Sequence, residues 1–140
     1  MSATHELHSF DKPISEMTFE FFGSGQHKIS ADKLFSQPEG ILFDIRSEEE
    51  VETLALPLAN DINVLHIPMD EIPDQLGEIP TDQRIAIFCS AGIRAAILYA
   101  YLRVTSYTQV RILVGGLEDI ATHANPGSLW KRFQARGHSS

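Results

Sequence analysis

The chain has one cysteine, one tryptophan and few basic side chains among its 140 residues. A lone cysteine cannot close an internal disulfide, which fits a reducing compartment, so a cytoplasmic location is the expectation. The longest uninterrupted apolar stretch, residues 95–102, is far shorter than the roughly 20 residues that cross a bilayer. No basic stretch followed by an apolar one opens the chain, so neither a secretory signal nor a membrane association is expected. Lys and Arg number 11 against 19 Asp and Glu, and they form no cluster interleaved with aromatic residues. That argues against a nucleic-acid surface. The six histidines, at positions 5, 8, 27, 66, 123 and 138, show no helical pair with a third ligand, so no metal site is expected. No glycine-rich phosphate loop appears either, and no cofactor is implied.

What is present is a globular composition. A 43% hydrophobic chain of this length makes one packed domain, able to bury about two-thirds of its unfolded surface. The net charge of −8 is unevenly spread. Residues 1–82 carry 17 acidic and 4 basic side chains, whereas residues 83–140 carry 2 acidic and 7 basic. An anionic substrate or an acidic partner would be drawn to the second part, unless folding interleaves the two.

Apolar runs alternate with amphipathic ones along most of the chain. Residues 1–12 are polar and read as a loose arm, and residues 17–22 alternate like an edge strand. Ser30 can cap a short helix that ends near Pro38. Residues 41–45 form a buried-strand run, and Ser47 with Glu50 matches a capping box for a helix over 48–54. Residues 62–67 read as a strand stopped by Pro68, and a short helix runs from Asp70 to Gly77. Strands are expected at 85–88 and 110–114, each followed by a helix, over 93–102 and 117–123. Asn125-Pro126-Gly127 is read as a break before one or two terminal helical turns at 128–135. This order predicts an α/β fold: a parallel-type sheet of about five strands with helices on both faces.

The candidate site is the loop Cys89-Ser90-Ala91-Gly92-Ile93-Arg94. A strand that delivers a cysteine to a tight turn opening a helix sets the sulfur over unpaired N–H groups and the positive end of the helix dipole. Arg94 adds a permanent positive charge, and Gly92 can take positive φ so that the backbone closes on the sulfur. Such surroundings favour thiolate, the nucleophilic form. The competing reading is a small buried apolar cysteine. Asp44 and Arg46 fall at a strand's C-terminal end, where parallel sheets place their sites. A supporting role, pairing with each other or with loop backbone, is preferred there over direct catalysis.

A cysteine followed by four residues and an arginine resembles the active-site loop of the rhodanese (sulfurtransferase) family. Three further stretches resemble the same family in the same order: Asp44-Ile45-Arg46 with the acidic helix after it, Ile67-Pro68-Met69-Asp70-Glu71-Ile72, and Val114-Gly115-Gly116-Leu117. The likeness divides the chain into an arm and edge strand (1–27), a rhodanese-like domain (28–123) and a C-terminal extension (124–140). It implies a sulfurtransferase in which Cys89 carries sulfur as a persulfide, the amides from Ser90 through Ala91, Gly92 and Ile93 to Arg94 hold the charge, and Asp44 and Arg46 support the loop. A sulfane-sulfur donor (polysulfide, protein persulfide or thiosulfate) and an external thiol or cyanide-like acceptor are then the partners.

The chain departs from the family in places. Residues 54–59 lack the usual Gly-His-Ile-Pro-Gly-Ala, so no function passes to His66. Ile120 replaces an aromatic residue. Ser90, Ala91 and Ile93 bring no second cation, so the likeness implies a poor fit to thiosulfate. Two other classes compete: a catalytically silent rhodanese-like binding or regulatory module, and a cysteine-dependent phosphatase or arsenate reductase. The latter resemble loops one residue longer. Leu129, Trp130 and Phe133 have the spacing of a terminal helix packed on the body, with docking of a protein partner as the alternative.

Overall fold

A computed structural model describes residues 10–56, 62–123 and 125–135. Five strands form one sheet: β1 (Lys28–Ser30), β2 (Ile41–Asp44), β3 (Val64–His66), β4 (Ile85–Phe88) and β5 (Val110–Val114). All pair in parallel, in the order β1-β5-β4-β2-β3. The helices are α1 (Asp11–Glu16), α2 (Phe19–Gly23), α3 (Ala31–Ser36), α4 (Glu48–Thr53), α5 (Ile93–Val104), α6 (Leu117–Thr122) and α7 (Pro126–Ala135). A 3₁₀ segment covers Met69–Glu78.

The two-residue period of a strand splits the core in two. Phe43, Ile45, Ile85, Ile87 and Val110 face one side, where Ala95, Leu98, Tyr99 and Leu102 of α5 pack with Ile72 of the 3₁₀ segment. Leu42, Ala86, Phe88 and Leu113 face the other, against Leu34 and Phe35 of α3 and Ile120 of α6. Both faces are therefore covered, as the apolar runs 41–43 of β2 and 85–88 of β4 require. Burying a side chain such as Phe43 or Leu102 stabilises the fold by about 1.5–3 kcal/mol.

Three expectations are corrected. Residues 17–22, expected as an edge strand, belong largely to α2. Thr18 caps that helix by accepting from the Phe21 amide at 3.1 Å, and its register buries Phe21 while leaving Phe19 open to solvent. The strand that completes the five is β1, whose three residues are too short to show a period. The loose arm expected over 1–12 gives way at its end to α1, and residues 1–9 lie outside the described part. Finally, the break after α6 is where it was expected, but the last helix already opens at Pro126 rather than at Ser128. Proline suits a first helical position, and the Asn125 side chain accepts from the Ser128 amide at 2.9 Å.

The charge asymmetry is partly cancelled on folding. Arg94 and Arg103, from the basic part, pair with Glu50 and Glu16 from the acidic part.

Candidate active site

β2 and β4 are neighbours, with Asp44 beside Phe88 in the register. Cys89 leaves the C-terminal end of β4 immediately afterwards, so the cysteine loop and the Asp44–Arg46 corner lie side by side at the C-terminal end of the sheet. This is the end where open parallel sheets hold their ligands.

Cys89 is almost buried, and its Sγ accepts from two backbone amides, those of Gly92 at 3.1 Å and Ala95 at 3.2 Å. Gly92 has φ +84°, the left-handed region that favours glycine, and it is the residue from which α5 starts. The positive φ turns its N–H back onto the sulfur. Ser90, Ala91, Gly92 and Ile93 are exposed around the cysteine, and Arg94 is half-buried.

Arg94 does not point into open solvent. Its Nη1 and Nη2 donate to Glu50 Oε1 and Oε2 at 2.8 and 2.9 Å, and Nη2 also donates to Ser90 Oγ at 2.9 Å. Glu50 accepts in addition from the Ser47 amide at 2.9 Å, as the second half of the capping box that starts α4. These bonds, the Arg94 pair first and the Ser47 amide second, hold the Glu50 carboxyl far below the usual carboxylate range. The same carboxylate raises the pKa of Arg94. Sequence reasoning found Glu50 only as a capping residue. The ion pair spans 44 residues and leaves no local signature.

Asp44 and Arg46 are both buried, and they pair with each other. Arg46 Nε donates to Asp44 Oδ1 at 3.0 Å and Nη2 to Oδ2 at 2.9 Å, while the Arg46 amide donates to Oδ1 at 3.1 Å. Nη1 donates to the Leu54 carbonyl at 2.7 Å, and the guanidinium lies 5.2 Å from the centroid of the Phe88 ring. His66, to which no function was carried, sits with Nε2 2.7 Å from the Arg46 carbonyl. Every polar group of the corner thus has a partner, as burial demands.

Beside the loop lies a cavity of about 320 Å³ lined by Arg46, Glu49, Glu50, Thr53, Leu54, Ser90 and Leu117. It lies between α4, the cysteine loop and the start of α6. No group of His, Cys, Asp and Glu among the described residues could hold a metal ion, and no described helix is long and apolar enough to cross a membrane.

A doubly covered parallel sheet with a cysteine held in a turn of amides defines an α/β domain built around a cysteine–arginine loop. The family model for the rhodanese-like domain matches residues 29–123, and the chain belongs to that family. Among solved structures it is similar to a rhodanese-like domain protein from Staphylococcus aureus, 28% identical with a TM-score of 0.54, over 67% of this chain and 90% of that one. A NAD-dependent persulfide reductase from A. fulgidus is 31% identical with a TM-score of 0.51, over 65% of this chain and 15% of that one. A protein called tRNA uridine(34) hydroxylase, from Erwinia tasmaniensis, is 28% identical over 88% of this chain and 36% of its own length. The chain spans about a third of the length of the curated relatives it matches.

Proposed function

We propose that the protein is a sulfurtransferase that carries sulfane sulfur on Cys89. The observation that supports this best is the pair of amides, from Gly92 and Ala95, donating to the Cys89 sulfur. Converging N–H groups stabilise a sulfur anion before and after loading. The Cys89 thiolate attacks the outer sulfur of a persulfide or polysulfide. A new S–S bond forms at Cys89, the donor's S–S bond breaks, and its electron pair leaves with the donor thiolate. A thiolate or cyanide acceptor then attacks the terminal sulfur, and Cys89 departs as thiolate. The chain has no second cysteine, so the acceptor comes from outside.

The amides of Ser90, Ala91, Ile93 and Arg94 would be the further donors to the terminal sulfur, while the Arg94 side chain, tied to Glu50, steadies the loop. Asp44 and Arg46 hold the neighbouring corner in shape and take no part in bond making. Because Glu50 offsets the charge of Arg94, the loop suits a persulfide or polysulfide better than the thiosulfate dianion. A cytoplasmic setting would supply such donors and thiol acceptors.

Intact-mass analysis after exposure to polysulfide, a protein persulfide and thiosulfate in turn tests this reading. Gain of one sulfur on the wild type and none on Cys89→Ser is the expected result. An unmodified wild-type mass with every donor would leave the silent binding module as the reading. A second reading follows from the tRNA uridine(34) hydroxylase relatives: a rhodanese-like part of a tRNA-modifying protein. In that case tRNA hydroxylation, not sulfur loading, would depend on Cys89.

A further inference from the structure

The opposite end of the sheet carries a second concentration of charge. Arg84 directly precedes β4, and Arg111 lies on the neighbouring strand β5. With Lys28 of β1 and Lys33 of α3 they line a cavity of about 190 Å³, completed by Ile29 and Gln37. Four of its six lining residues are cations, and none is acidic.

Backbone carbonyls hold the two guanidiniums in place. Arg84 Nη2 donates to the Gln37 carbonyl at 2.6 Å, and Arg111 Nη1 donates to those of Gly25 and Lys28 at 3.1 and 3.2 Å. Neither arginine forms a salt bridge among the described residues. Arg84 Nε is buried with no hydrogen-bond partner there, a donor that the fold leaves unused. Burial and, less strongly, Arg111 lower the pKa of Arg84, with Glu39 as its opposing acidic neighbour. His27 is also pushed down, by burial first and then by Lys28 and Arg111. Like charges gathered in this way repel one another unless an anion joins them.

We propose that this cavity binds the phosphate group of a small phosphomonoester. Its volume is below the roughly 300–1,000 Å³ of pockets that enclose a whole ligand, so it takes the charged headgroup alone. A monoester brings about −1.5 to −2 charges at pH 7, a better match to four cations than the single charge of a diester. Planar guanidiniums suit phosphate oxygens, and two of them line this cavity. The site is separate from the cysteine loop. Arg84 and Cys89 stand five residue steps apart along extended chain, roughly 16 Å.

Amide chemical-shift titration of the full chain with inorganic phosphate, ribose 5-phosphate and dimethyl phosphate, at constant ionic strength, tests the assignment. Shifts are expected at residues 28–33, 84 and 111, with the two dianions binding about tenfold more tightly than the diester. Lys28→Gln and Lys33→Gln remove exposed side chains that hold no structural bond, so the fold and the melting temperature stay as they are. Each should lower affinity about fivefold, the size of an exposed charge pair. Shifts confined to residues 89–95 would overturn the proposal. So would equal binding of the diester, no binding of ribose 5-phosphate, or unchanged affinity in both lysine variants.

Discussion

Glu50 and Arg94 meet in two parallel hydrogen bonds of 2.8 and 2.9 Å, joining the first turn of α4 to the start of the helix that carries the cysteine loop. Glu50 also holds the Ser47 amide, so one carboxylate fixes a helix start and the loop arginine together. The pair therefore does two things at the loop. It orients Arg94, and it cancels most of the positive charge that an anionic donor would meet.

The first prediction follows from that cancellation. Glu50→Gln preserves the capping geometry, because glutamine serves at the same position of a capping box. It leaves the Arg94 charge uncompensated. The KM for thiosulfate should fall by about threefold or more, while the KM for a persulfide donor stays within about twofold. Steady-state kinetics with both donors measures it. An unchanged thiosulfate KM would mean that Glu50 does not govern donor choice.

The second concerns acid. The Glu50 carboxyl sits below its ordinary value of 4.5 in the folded protein, so the folded state holds fewer protons there than the unfolded one. Its contribution is complete above that ordinary value and is lost as pH falls below it toward the depressed folded value. The stability gap between wild type and Glu50→Gln should be constant from pH 7 to about 5 and shrink at lower pH. Denaturant unfolding at a series of pH values gives the gap. A gap that grows on acidification would contradict the sign.

Much of this fold is legible in the chain because the inner strands β2 and β4 are buried on both faces. Runs such as 41–43 and 85–88 have no polar interruption, and the turn residues between them are unambiguous. The misreading at 17–22 has a specific cause. Phe19, Phe21 and Phe22 imitate alternation over six residues, whereas the decisive signal is Thr18, a cap whose oxygen takes the Phe21 amide. β1 was hidden by its length. At the candidate site, local features could be read: the Cys89–Gly92 turn and the Asp44 to Arg46 spacing both lie within a few residues. The Glu50–Arg94 bridge could not, since it exists only once α4 and α5 are set side by side by the sheet.

The third prediction concerns the corner beside the loop. Asp44 accepts three hydrogen bonds from Arg46, and both residues are 2% exposed. Asp44→Asn would leave a buried guanidinium without its counter-charge, which costs about 3–5 kcal/mol. Replacing both residues with leucine should cost less than Asp44→Asn alone, because no charge is then stranded. Chemical denaturation of the three proteins decides it. If the double variant were the least stable, the pair would be contributing net stability beyond its mutual compensation.

The last prediction isolates the backbone at Gly92. A Cβ there would meet no atom within 4 Å, so Gly92→Ala introduces no steric collision. The whole penalty comes from φ +84°, which an alanine adopts at a cost of about 1–2 kcal/mol. The chain can relieve that strain by rotating toward negative φ, but the rotation carries the Gly92 N–H away from the Cys89 sulfur. Sulfur loading should therefore slow more than the loss of stability explains, since the protein remains folded at a cost of this size. Gly92→Asn provides the control. Asparagine tolerates the left-handed region better than alanine and should recover part of both losses. Loading rates by intact mass and unfolding midpoints, measured on all three proteins, separate the two effects. If Gly92→Ala loads sulfur at the wild-type rate, the amide of residue 92 is not needed to hold the reactive sulfur, and the proposed role of the loop backbone fails.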